Sequence, residues 1–73
     1  MPENEQILFM QLRLIKMAEK RWNKPISEVI DIFKGHKLAE LIERCFYIYH
    51  MEGDEAVYAD IMEHLVLQDG EIV

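Results

Sequence analysis

Three groups of side chains have types and spacings that could do chemistry. His50, Glu52 and Asp54 cluster about Glu52-Gly53-Asp54, where an imidazole and two carboxylates could approach a divalent cation. Asp60 and His64 stand four residues apart, so a helix would turn both toward one ligand. Neither set has the donor number or spacing of an established zinc or calcium site, and turn hydrogen bonds, caps and solvated charge account for them. The third is the single thiol, Cys45, in the middle of an apolar face with no activating base at helical spacing, where it reads as a small buried hydrophobe. Paired carboxylates for acid and base catalysis need a shared, partly dry cleft, and no pattern here implies one. A Gly-rich phosphate loop, a CxxC pair and a nucleophile elbow are absent from the sequence. The residues therefore predict no enzyme, no metal site and no cofactor.

The elements that would position these residues follow from hydrophobic periodicity. Asn4 or a neighbour can cap a first helix over 5–22, with Glu5 in its first turn and Lys20 and Arg21 in its last, as the helix dipole favours. At helical spacing Ile7, Leu8, Met10, Leu14, Ile15, Met17, Ala18 and Trp22 form an apolar stripe, with Arg13, Lys16 and Lys20 opposite. Gln11 interrupts the stripe, and Phe9 falls among the basic residues, as a peripheral core residue or as an aromatic anchor for a partner.

Asn23-Lys24-Pro25 ends that helix and starts a second over 25–34, with Ile26, Val29, Ile30 and Phe33 on one side and Gly35 as its stop. A third helix is expected over 37–51, where Leu38, Leu41, Ile42, Cys45, Phe46, Ile48 and Tyr49 share a face and Tyr47 points away from it. Gly53 can close it in a left-handed conformation, and Asp54 can cap a fourth helix over 55–67. That helix would bury Val57, Tyr58, Ile61, Met62, Leu65 and Val66 and expose Asp60, Glu63, His64 and Leu67. The expected fold is all-α: one domain over 1–73, a compact bundle of four short helices whose last two form a hairpin, followed by a short tail, Glu71-Ile72-Val73, that docks on the body or on a partner.

Size and charge narrow the function. A chain of 73 residues supports a modest core, burying only about 60% of the surface its unfolded form exposes, so association with itself or a partner is expected. With 51% hydrophobic and 30% charged residues it should fold rather than stay disordered. The net charge of −6 repels a phosphate backbone. No apolar run approaches the roughly 18 residues of a membrane span, no leader is apparent, and a lone cysteine suits a reducing compartment, so a cytoplasmic location is expected. Charge is uneven: residues 1–37 hold seven of the eight basic residues, whereas after Leu38 only Arg44 stands against nine carboxylates. The connection between the first two helices has a helix-turn-helix outline, but the second helix carries Glu28 and Asp31 where base-reading residues would stand, so DNA readout is disfavoured.

The stretch from Leu38 to Leu65, with Tyr49-His50, Gly53-Asp54 and Asp60-Ile61, together with the upstream helix ending in Trp22 and the short helix Val29 to Phe33, resembles a small bacterial family of uncharacterised all-helical domains. Members of that family are often encoded beside an ADP-ribosyltransferase-like toxin. The resemblance implies a toxin–antitoxin setting, in which a short acidic helical protein neutralises its neighbour. It carries over no functional residues. A non-catalytic protein-interaction module is accordingly the leading expectation. A self-associating structural or adaptor domain, which a homodimer would satisfy, and a helix-turn-helix regulator are the alternatives. The residues expected to meet a partner are Phe9, Tyr47, His50, Asp60, Glu63, Leu67 and Ile72, most of them on the outer, acidic face of the hairpin.

Overall fold

A left-handed asparagine, a left-handed lysine and an extended glycine at positive φ mark three of the four breaks between the helices. The computed structural model describes residues 2–69, which are all-helical: α1 (Glu3–Trp22), α2 (Ile26–Gly35), α3 (Leu38–Arg44), α4 (Phe46–Glu52) and α5 (Asp54–Asp69). α1 begins two residues before the expected start. The Pro2 carbonyl accepts from the Glu5 and Gln6 amides at 3.2 and 3.1 Å, and Asn4 lies within the helix rather than capping it. Its twenty residues span about 30 Å at 1.5 Å each, close to the 34 Å long axis of the molecule. α1 packs against α2, α3 and α5 and is thus the scaffold of the fold.

The turns show which residue carries each backbone reversal. Asn23 closes α1 at φ 55°, ψ 48°, a region its short polar side chain tolerates. Gly35, expected as the stop of α2, is its last helical residue, and the left-handed position falls on Lys37 at φ 54°. Gly53 lies at φ 93°, ψ 161°, an extended rather than left-handed-helical conformation, while its amide still bonds the Tyr49 carbonyl at 3.3 Å.

The expected third helix is broken in two. Cys45 takes φ −100°, ψ 12°, its amide bonds Leu41 O at 3.0 Å, and its own carbonyl accepts from both Ile48 and Tyr49, so the axis changes direction between Arg44 and Phe46. Five helices replace the expected four. The break separates two packing tasks: α3 lies against α1 and α2, whereas α4 lies against α5. Cys-Phe-Tyr-Ile-Tyr over 45–49 is a run of poor helix formers, which makes this the cheapest place to bend.

The core gathers Met10, Leu14 and Ala18 of α1, Val29 and Phe33 of α2, Leu38 and Ile42 of α3, Phe46 and Tyr49 of α4, and Val57, Ile61 and Leu65 of α5. Each apolar stripe is narrower than its periodicity suggested. Leu8, Ile26, Ile48 and Val66, assigned to the inner faces, are exposed, because in so small a body each helix buries only the residues that point into the common core. Gln11, the polar interruption of the α1 stripe, donates from Nε2 to the Ala39 carbonyl at 2.9 Å and so joins α1 to the first turn of α3. At the other end of α1 the Trp22 ring lies 6.2 Å from Phe33, and its Nε1 meets Met62 Sδ at 3.4 Å.

Candidate protein-binding surface

Asp54 was expected to cap the last helix. Instead it sits in the first turn of α5 with its carboxylate facing α1, where Arg13 Nε donates at 2.7 Å and Nη2 at 3.3 Å. One residue on, Glu55 accepts both terminal nitrogens of Arg21, whose guanidinium also lies 4.7 Å from the centre of the Tyr58 ring. Two acidic residues at the start of a helix are favoured by its dipole, and here they meet two arginines of the basic first half. The Arg21 bond holds the Glu55 carboxyl below its usual range, and the same bond raises the Arg21 guanidinium further. Part of the charge complementarity between the two halves is therefore satisfied inside one chain. Lys16 with Glu19 and Lys24 with Glu28 form further surface pairs along their own helices, each at 3.6 Å.

Phe9, Arg13 and Asp54 form a ridge with a groove on either side. The smaller groove, about 290 Å³, runs between α1 and the α4–α5 turn and has Phe9 and His50 on facing walls. The larger, about 660 Å³, follows α1 past Leu12, Lys16, Met17 and Lys20 and is open along its length.

Three expected partner residues come together at this end. His50 is exposed, stacks on the Phe46 ring at 5.0 Å, places Nδ1 3.0 Å from the Phe46 carbonyl, and meets Tyr47 edge-on at 6.4 Å. Tyr47 is 69% exposed, and a hydrogen bond to Glu3 raises its phenol above the ordinary value. Phe9 is 43% exposed across the small groove. The other expected residues separate from them. Asp60 is tied down by the hydroxyl of the buried Tyr49, whose phenol is pushed up by burial and then by that carboxylate. Its first role is thus to satisfy a polar atom of the core. Glu63 and Leu67 are exposed on α5, Leu67 at 78%. Ile72 lies outside the described residues.

The sequence pattern missed part of the surface. Ile48, assigned to the core, and Met51, assigned no role, are 61% and 81% exposed and continue the Tyr47 side of α4. Leu12, half exposed beside Phe9, was likewise unassigned; its place off the α1 stripe was the available signal. The His50–Glu52–Asp54 set is occupied otherwise, with Asp54 on Arg13 and His50 on a backbone carbonyl. Among the described residues no group of three or more His, Cys, Asp or Glu side chains is placed to hold a metal ion. Cys45 is a half-buried free thiol at the α3–α4 bend. No helix among the described residues is long and apolar enough to cross a membrane.

Comparison with known proteins adds a family. No curated protein and no solved structure matches the chain. A family model described as a protein of unknown function, DUF3791, matches residues 9–66, from Phe9 on the ridge through the last buried turn of α5. The chain, with its five helices around α1, belongs to the DUF3791 family.

Proposed function

We propose that the chain is a non-catalytic protein-binding module that neutralises a partner protein by steric contact, in the manner of an antitoxin. The observation that carries this reading is α4, a seven-residue helix that buries Phe46 and Tyr49 and leaves Tyr47, Ile48 and Met51 in solvent. Three large apolar side chains exposed within five positions on so small a body favour burial against another surface. Around them stand the exposed carboxylates Glu43 and Glu52, with Glu63 further along α5, so the fitting partner is basic. The family resemblance supplies the candidate: an ADP-ribosyltransferase-like toxin encoded beside the gene, whose nucleotide-binding cleft would be rich in basic groups. Blocking such a cleft needs no catalysis.

The test is co-expression with the product of the adjacent gene. The wild type is expected to co-purify with it and suppress its toxicity, and Tyr47→Asp combined with Met51→Asp to lose both while melting as the wild type does. Toxicity unchanged by the wild-type chain would refute the proposal. The same exposed side chains support homodimerisation as the second reading, for which a sedimentation mass of two chains, returning to one in the double variant, is the signature.

A further inference from the structure

The larger groove shares Phe9, Arg13 and Asp54 with the smaller one beside α4, but along Leu12, Lys16, Met17 and Lys20 it differs from the exposed α4 side chains in chemistry. Phe9, Leu12 and Met17 supply its apolar surface, and Arg13, Lys16 and Lys20 stand among them at helical spacing, within a chain whose net charge is −6. From Phe9 to Lys20 is eleven residues, about 16 Å of helix, or three turns. Arg13 is engaged by Asp54, Lys16 is held only loosely by Glu19 at 3.6 Å, and Lys20 has no ion-pair partner among the described residues. We infer that this groove docks an acidic amphipathic helix of a partner protein, with the helix's apolar stripe against Phe9, Leu12 and Met17 and its carboxylates on Lys16 and Lys20. The inference goes beyond the proposed function, which rests on α4 and a basic partner.

Charge and shape select this occupant. A phosphate backbone would meet the Asp54 carboxylate in the wall and apolar side chains where it needs donors. A second copy docked through the same groove about a twofold axis would set lysines against lysines. An open helix face three turns long, on which cations and apolar side chains alternate, matches a helix with glutamates four apart beside an apolar stripe.

The probe is a fluorescein-labelled synthetic helix of about 14 residues with glutamates at i and i+4 beside a leucine stripe, titrated by fluorescence anisotropy at low salt, about 20 mM, where surface charge acts furthest. Saturable binding is expected, weakened about tenfold by Lys16→Glu with Lys20→Glu, weakened similarly by Phe9→Ala, and unaffected by Tyr47→Ala. The milder Lys20→Gln variant, with circular dichroism melting of every variant, separates a lost contact from a lost fold. The inference is overturned by no binding, by equal affinity for the lysine-reversed variants, or by equal affinity for a peptide with lysines in place of the glutamates. Tighter binding of a single-stranded oligonucleotide at the same salt overturns it too, as does a dimer that Lys20→Glu dissociates. Co-purification with the neighbouring gene product should survive Lys16→Glu and Lys20→Glu, so this test and that of the α4 surface fail separately.

Discussion

Replacing Gly53 by alanine isolates the energetic cost of one backbone conformation. Gly53 sits at φ 93°, ψ 161°, and a Cβ built there meets nothing within 4 Å, so the penalty is conformational rather than steric crowding by the rest of the fold. This region is nearly confined to glycine, and an L-residue held in it costs about 1–3 kcal/mol. The lower entropy of the unfolded alanine chain returns about 0.4–1 kcal/mol. A net loss of about 1–2 kcal/mol is expected, a fall in Tm of roughly 5–15 °C for a domain of this size. Gly35 is the internal control. It too has open space around its Cβ position, but it is helical and its φ is not positive, so Gly35→Ala should stabilise by about 0.5 kcal/mol. D-alanine at position 53, introduced by chemical synthesis, should restore the wild-type melting temperature, because a D-residue takes positive φ readily. Urea and thermal unfolding followed by circular dichroism give all three values. An L-alanine variant at position 53 as stable as the wild type, or a D-alanine variant as unstable as the L form, would refute the argument that this conformation sets the α4–α5 turn.

Three further outcomes can be measured on the same instrument. Leu14→Ala removes a side chain with no solvent exposure at the centre of α1 and should cost about 3–5 kcal/mol, a large share of the roughly 4–11 kcal/mol expected of a domain this size, so the variant should be partly unfolded at 37 °C. Tyr49→Phe deletes the hydroxyl bound to Asp60 and should cost about 0.5–1.5 kcal/mol at neutral pH. Because burial and Asp60 raise the Tyr49 phenol in the folded state, its contribution is complete below about pH 10 and fades as pH rises toward the folded value. The alkaline loss of stability should therefore be shallower in Tyr49→Phe. Glu55 shifts the opposite way: Arg21 depresses its folded value, so its contribution is present above about pH 4.5 and disappears as pH falls through the folded value. Glu55→Gln should flatten that part of the acid limb, and an identical limb in the variant would contradict the Arg21–Glu55 pair.

Local physics made much of this fold readable from residue order. Helical spacing of apolar residues placed Leu14, Ile42, Ile61 and Leu65 inside, and Asn23-Lys24-Pro25 and Gly53 marked two boundaries, because each acts through a backbone preference or a period that needs no neighbour. Phe9 was recognisable as an anomaly, since its position on the helix wheel falls among cations whatever packs against the other side. Periodicity did not reveal the bend at Cys45, because a straight helix would also have aligned Ile42, Phe46 and Tyr49; only α1 and α2 on one side and α5 on the other require the axis to turn. Ile48 and Met51, on the helix that follows that turn, stay in solvent and belong to the surface proposed for a partner. The fates of individual charges were equally tertiary. Asp54 left its capping role for Arg13, and Asp60 went to Tyr49, across sequence separations of 41 and 11 residues. A carboxylate on a helix surface has several comparable local partners, and the winner is whichever donor the packing of other helices brings within reach.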